Sequence, residues 1–180
     1  MIEPLPESTR TLLLRYARET LVAIAAGRAP GVPPAGGPLD EPAAAFVTLR
    51  RGEDLRGCIG RTRAEVPLGR LVAEVTQDSA TGDPRFPPVT PDEVDGLTIE
   101  ISRLSQPVEV SAQELEPGRH GVIVRKGAHV GLLLPQVAAE YNCTRGDFLD
   151  LACRKAGLPE DAWRGSGVTI SIFEAEVFGE

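Results

Sequence analysis

Residues 97–102 read Leu97-Thr98-Ile99-Glu100-Ile101-Ser102, apolar and polar in strict alternation. In an extended chain successive side chains point to opposite faces, so this stretch is a strand with one face buried. Val168-Thr169-Ile170-Ser171-Ile172-Phe173 alternates in the same way, and the two are expected to share one sheet. Ala44–Leu49 and Leu55–Gly60 read as a hairpin around the polar turn Arg50–Asp54. Segments 121–125 and 128–133 read as a second hairpin turning at Lys126-Gly127.

Helices fill the intervals. Leu14, Ala17, Leu21 and Ile24 fall at helical spacing, with Ser8 or Thr9 as the expected cap and Gly27 as the stop. Leu68, Leu71, Val72 and Val75 share a face behind Pro67, which suits a first turn, and Gly82-Asp83-Pro84 ends that helix. Pro135 opens a short helix. Thr144 with Asp147 makes a capping box for the helix carrying Phe148, Leu151, Ala152 and Lys155, closed by Gly157 and Pro159. Residues 28–42 hold five prolines and three glycines and read as a loop. Six strands and four helices, with hairpins in place of regular βαβ alternation, make an α+β fold. Its sheet is mainly antiparallel and is covered by the helices around 9–26 and 67–80.

Composition sets the outer bounds. The 180 residues are 42% hydrophobic and 25% charged, an ordinary globular balance, and at 4% aromatics the core must be aliphatic. The net charge of −7 argues against non-specific nucleic-acid binding. Cys58, Cys143 and Cys153 contain no C-x-x-C pair, which points to a reducing compartment without disulfides or a zinc cluster. The start Met1-Ile2-Glu3-Pro4 lacks a signal peptide's basic opening, and no apolar run reaches ~18 residues, so the expectation is a soluble, cytoplasmic chain. Only two of the nineteen basic residues are lysines, the bias of a GC-rich bacterial genome. Phosphate-loop, dinucleotide-turn, zinc-helix and nucleophile-elbow motifs are all absent, and no metal or cofactor is expected.

Chemistry concentrates in Arg50–Arg63. Arginines 50, 51, 56, 61 and 63 stand against Glu53 and Asp54, a local net of +3 on an acidic chain. Such an island receives a phosphate, a carboxylate or an acidic partner surface, or it is a solvated hairpin paired with local acids. Within it, Gly57 and Gly60 flank Cys58 and permit close backbone approach and positive φ. Neighbouring arginines would enrich the thiolate of Cys58; a buried structural cysteine is the plainer alternative. Asp83 and Arg85 either clamp a polar ligand or close their own turn by a salt bridge. His120 is a candidate acid or base or a structural histidine, and Gln136 either faces a ligand or caps a helix.

The hexapeptide Leu55-Arg56-Gly57-Cys58-Ile59-Gly60 resembles the signature of the AMMECR family. Asp83-Pro84-Arg85-Phe86-Pro87-Pro88, Gly118-Arg119-His120-Gly121, Leu133-Leu134-Pro135-Gln136-Val137, Lys155-Ala156-Gly157-Leu158 and Trp163 resemble its later blocks in the same order. The resemblance spans residues 1–180 as one domain. It implies an α+β fold of two lobes with a groove between them, and in bacteria and archaea the branch called AmmeMemoRadiSam system protein A, associated with Memo-like and radical-SAM proteins. It names no activity. The expected site is the 55–60 motif, binding a small anionic ligand or a partner protein through Arg56, Gly57, Gly60, Arg61, Asp83, Arg85 and Gln136. Two alternatives stand beside it. One is an enzyme with Cys58 as nucleophile, His120 as base and Arg56 stabilising negative charge; the other is a scaffold docking through the arginine-rich hairpin.

Overall fold

The structure, a computed structural model, describes residues 2–180. The chain divides into two compact units. The larger comprises Glu3–Leu104 with the C-terminal Glu176–Glu180; the other is Ser105–Ala175 with Ile2. The second unit is thus inserted in the sequence of the first.

The larger unit contains α1 (Glu7–Ala25), β1 (Pro42–Arg51), β2 (Asp54–Pro67), α2 (Leu68–Thr81) and β3 (Thr98–Leu104). The inserted unit follows with β4 (Val108–Glu109), β5 (Gly121–Lys126), β6 (His129–Leu133), α3 (Pro135–Glu140), α4 (Arg145–Lys155) and β7 (Thr169–Phe173). The chain ends in β8 (Ala175–Gly179). The fold class is α+β as expected, but its strands form two four-stranded sheets, ordered β2-β1-β3-β8 and β4-β7-β5-β6. The stretch 97–102 therefore lies in one sheet and 168–173 in the other, correcting the single sheet. Alternation reports which face of a strand is buried and carries no information about which strand it pairs with.

In the first sheet β1 runs antiparallel to both β2 and β3. Val47, Leu49, Ile99 and Ile101 join Leu13, Ala17 and Leu21 of α1 and Leu71, Val72 and Val75 of α2 in one core. The helix face centres on Leu13, Tyr16, Ala17, Thr20 and Leu21, leaving Leu14 and Ile24 at its margins. Neither Ser8 nor Thr9 caps α1; Pro6 holds the N-cap position with no side-chain bond. Helix α2 begins one residue later than expected, with Pro67 at the N-cap. In the second sheet β5 is antiparallel to β6 and β7, and β7 to β4. Its core gathers Val122, Val124, Phe148, Leu149, Ala152 and Ile170. Thr144 and Asp147 form the expected capping box. The β5–β6 turn is Gly127-Ala128, with Gly127 at φ +58°, one residue later than expected. No helix among the described residues is long and apolar enough to cross a membrane.

Candidate functional site

Strand β2 lies at the edge of its sheet, and the 55–60 motif occupies its first half. An edge strand leaves every second residue's N–H and C=O unpaired, an open template that proteins cover. Here the cover is the turn after α2. Asp83 Oδ2 accepts the Cys58 N–H at 2.9 Å, and Arg85 Nη2 reaches the Cys58 carbonyl at 3.4 Å. Asp83 and Arg85 also bind each other through Nε–Oδ1 at 2.9 Å and Nη2–Oδ2 at 2.6 Å. Between them they present to Cys58 one acceptor and one donor, as a neighbouring strand would. The Arg85 guanidinium, and after it the Cys58 and Arg85 amides, hold the Asp83 carboxyl well below the usual carboxylate range against the opposing cost of burial.

The other side of the motif is fixed by α2. Ser79 Oγ accepts from Ile59 N at 2.9 Å and donates to Val47 O at 2.8 Å, bridging β2 and β1. A Cβ on Gly57 would stand 2.1 Å from the Ser79 carbonyl oxygen, and one on Gly60 2.3 Å from the Phe46 ring. Both glycines serve close approach, as expected. Neither has positive φ, because both sit in regular strand.

Four of the island's five arginines pair with acids, and Arg50 donates to a backbone carbonyl. Arg56, whose side chain is only 11% exposed, grips Glu93 through Nε–Oε1 and Nη2–Oε2, both at 3.0 Å, and donates to Pro87 O at 2.9 Å. Arg56, then the Thr90 amide, hold the Glu93 carboxyl down at about 2. Arg51 shares Glu93, Arg61 meets Glu74 at 3.0 Å, Arg63 meets Glu65 at 3.7 Å, and Arg50 donates to Glu53 O. Beyond Arg61 the β1–β2 register jumps from Ala45↔Arg61 to Ala43↔Val66. Residues 62–65 bulge there beside an open cavity of about 300 Å³ lined by Gly60, Arg61, Thr62, Arg63, Glu65 and Val66.

The sequence assigns Phe86 no role in the site. Its half-buried ring has the Arg56 guanidinium 5.9 Å from its centroid and the Arg85 guanidinium at 5.5 Å, cation–π distances. Pro84, Pro87 and Pro88 around it are exposed. Glu93 also escaped notice, although Thr90 three residues before it is a capping-box signal, and the box forms.

His120 and Gln136 lie in the inserted unit, whereas Cys58, Asp83 and the arginines lie in the larger one. The buried His120 accepts the Glu116 N–H on Nδ1 at 3.2 Å. That bond occupies Nδ1 as an acceptor and places the ring's hydrogen on Nε2. Gln136 Oε1 is buried without a hydrogen-bond partner among the described residues. The Cys58 and Ile59 amides are both engaged, which leaves neither for an oxyanion. Cys58 is half-buried, whereas Cys153 is fully buried on α4 and its thiol is pushed up by desolvation. Among the described residues no group of three or more His, Cys, Asp or Glu is placed to hold a metal.

The AMMECR1 family model matches residues 14–178, across both units and every feature above. The chain belongs to the AMMECR1 family. A Methanopyrus kandleri protein is 41% identical over 93% of this chain and 86% of its own length. A Methanocaldococcus jannaschii protein is 38% identical over 94% and 89%. The crystal structure of an uncharacterised protein from Pyrococcus horikoshii superposes with a TM-score of 0.92 at 35% identity, covering 98% of this chain and 93% of that one. These relatives are archaeal and give no support to the bacterial source suggested by composition. In this AMMECR1 chain the 55–60 signature is a strand whose Cys58 and Ile59 amides, Cys58 carbonyl and Gly57 are tied to α2 or to the Asp83–Pro88 turn, while Gly60 lies against Phe46 of β1.

Proposed function

We propose that this AMMECR1 protein is a binding component of a multi-protein system, docking a partner protein through the Asp83–Pro88 turn and the adjoining 55–60 strand. The observation that carries the reading is Phe86 flanked by two guanidiniums in a turn of exposed prolines. Aromatic and arginine side chains held rigid at a surface are the usual anchors of protein interfaces, since little side-chain entropy remains to be lost on binding. A small anion is the weaker ligand here, because the arginines that would receive it already hold Glu93, Glu74, Glu65 and Asp83. Memo-like and radical-SAM proteins are the partners proposed through the family association.

The test is titration calorimetry of the purified chain against a Memo-like and a radical-SAM protein from the same organism. One of them is expected to bind, and Phe86→Ala to weaken it at least about tenfold while the variant still unfolds cooperatively. No binding to either protein, or Phe86→Ala binding as tightly as the parent, overturns the reading.

A further inference from the structure

An edge strand keeps half of its backbone groups unbonded, and the two sheets manage their edges differently. In β2 the outward amide and carbonyl of Cys58 are taken by Asp83 and Arg85. Strand β6 is an edge of the second sheet. The two-residue turn Gly127-Ala128 closes on Lys126 and His129 as a hydrogen-bonded pair, and the pattern repeats at Val124↔Gly131 and Val122↔Leu133. The amides and carbonyls of Val130 and Leu132 therefore point outward. Among the described residues no side chain or loop bonds to them.

The two faces of β6 differ. A Cβ on Gly131 would stand 2.2 Å from the Ala152 carbonyl oxygen of α4, so Gly131 and, two residues before it, His129 face that helix. His129 Nδ1 donates to the Ala156 carbonyl at 3.1 Å, which ties the hairpin to the end of α4 beside Lys155. Val130 and Leu132 face the other way, Val130 being 42% exposed and Leu132 half-buried.

Positive charge gathers at the hairpin end of this edge. Residues 117–139 contain no aspartate or glutamate, in a chain whose net charge is −7. Arg125 stands opposite Val130 and Lys126 opposite His129, and both are exposed, as is Lys155. Arg154 meets Glu160 at 3.3 Å, but Arg125, Lys126 and Lys155 meet no acid among the described residues.

We propose that β6 is a second docking edge, which takes an extended acidic segment of a partner protein as an added strand. Main-chain hydrogen bonds to Val130 and Leu132 hold the segment, and its alternate side chains set the choice of partner. Acidic side chains on the helix side meet Lys126, His129 and Lys155. Apolar ones on the other side cover Val130 and Leu132. Cations on an open edge deter indiscriminate pairing, and an acidic strand is the one they admit. This edge lies in the inserted unit and the Asp83–Pro88 turn in the larger one.

The test is an NMR titration of the isotopically labelled full-length chain with three end-blocked hexapeptides. One alternates glutamate and valine, one alternates lysine and valine, and the third is the glutamate peptide N-methylated at every residue. The glutamate peptide is expected to shift the His129–Leu133 amides and to bind about tenfold more tightly than the lysine peptide, as exposed ion pairs replace repulsions. The N-methylated peptide should not bind, because it has no backbone donors to give the edge. Lys126→Glu combined with Lys155→Glu should reverse the order of the first two peptides, with thermal unfolding still cooperative. No shift of β6 by the glutamate peptide, shifts confined to another strand, equal binding of the N-methylated peptide, or an unchanged order in the folded double variant would overturn the proposal. Partner docking through Phe86 can fail with this result intact, since the peptides are read at β6.

Discussion

Arg56 and Glu93 hold each other through two parallel hydrogen bonds, with side chains only 11% and 18% exposed. Removing Arg56 leaves Glu93, in a place water reaches poorly, with only the more exposed Arg51 as its cation, an expensive way to break an ion pair. Arg56→Ala is expected to cost about 2–4 kcal/mol in denaturant unfolding. Arg61→Ala removes a pair whose arginine is 45% exposed, and should cost less than about 1 kcal/mol. The pair also sets an acid limb. Glu93 sits at about 2 in the folded chain against an ordinary 4.5, so its contribution is complete above the ordinary value and is lost as pH falls from there toward 2. In Arg56→Ala the stability lost over that window should shrink, though not vanish, because Arg51 and the Thr90 amide still bind the carboxylate. An unchanged acid limb would show that Arg56 does not set Glu93. The glycines and cysteine of the motif were readable in sequence because their chemistry is local. The identity of the acid that takes Arg56 was not, since it stands 37 residues away and only the fold brings it there.

Elements with local punctuation emerged from the sequence; those defined by distant pairing did not. Thr144 caps α4 because its hydroxyl meets the Asp147 N–H at 3.3 Å while the Asp147 carboxylate returns to the Thr144 N–H at 2.9 Å. Thr144→Ala should lower stability by about 1 kcal/mol. Ser8 matches the same residue preference but lies inside α1, one position past its start at Glu7, so Ser8→Ala should be neutral in the same thermal unfolding assay. Equal effects would show that the residue type, and not the cap geometry, sets the energy. The two missed strands make the complementary point. Val108–Glu109 is two residues long, too short to show a period, and takes its strand character from Ile172 and Ser171 across the ladder. The last strand closes the first sheet with residues that follow the entire inserted unit, and no local pattern signals so distant a partner.

The insertion itself has a physical signature. Ser105 N donates to Glu174 O at 2.9 Å, and Glu174 N donates to Ser105 Oγ at 2.9 Å, so the inserted unit enters and leaves through one clasp. Its sheet is made entirely of its own strands, and its core of its own side chains, with Phe148 and Leu149 of α4 fully buried against Val122 and Val124. A segment whose ends meet and whose core is internal can fold without the chain around it. Residues 105–175 expressed alone are therefore expected to unfold cooperatively. Stability should be low, on the order of 3–5 kcal/mol, because a chain this short buries little apolar surface. The larger unit behaves differently, since its sheet needs the last strand. Glu176 binds Arg103 at 2.9 Å and accepts from Leu5 N, Phe178 joins the core, and Glu180 pairs with Arg18. Deleting residues 176–180 removes all of these and opens the edge at β3. Hydrogen exchange on that truncated chain should show protection lost from β1 and β3 while β5 and β7 keep theirs. Loss of protection in both sheets together would show that the units fold as one cooperative body.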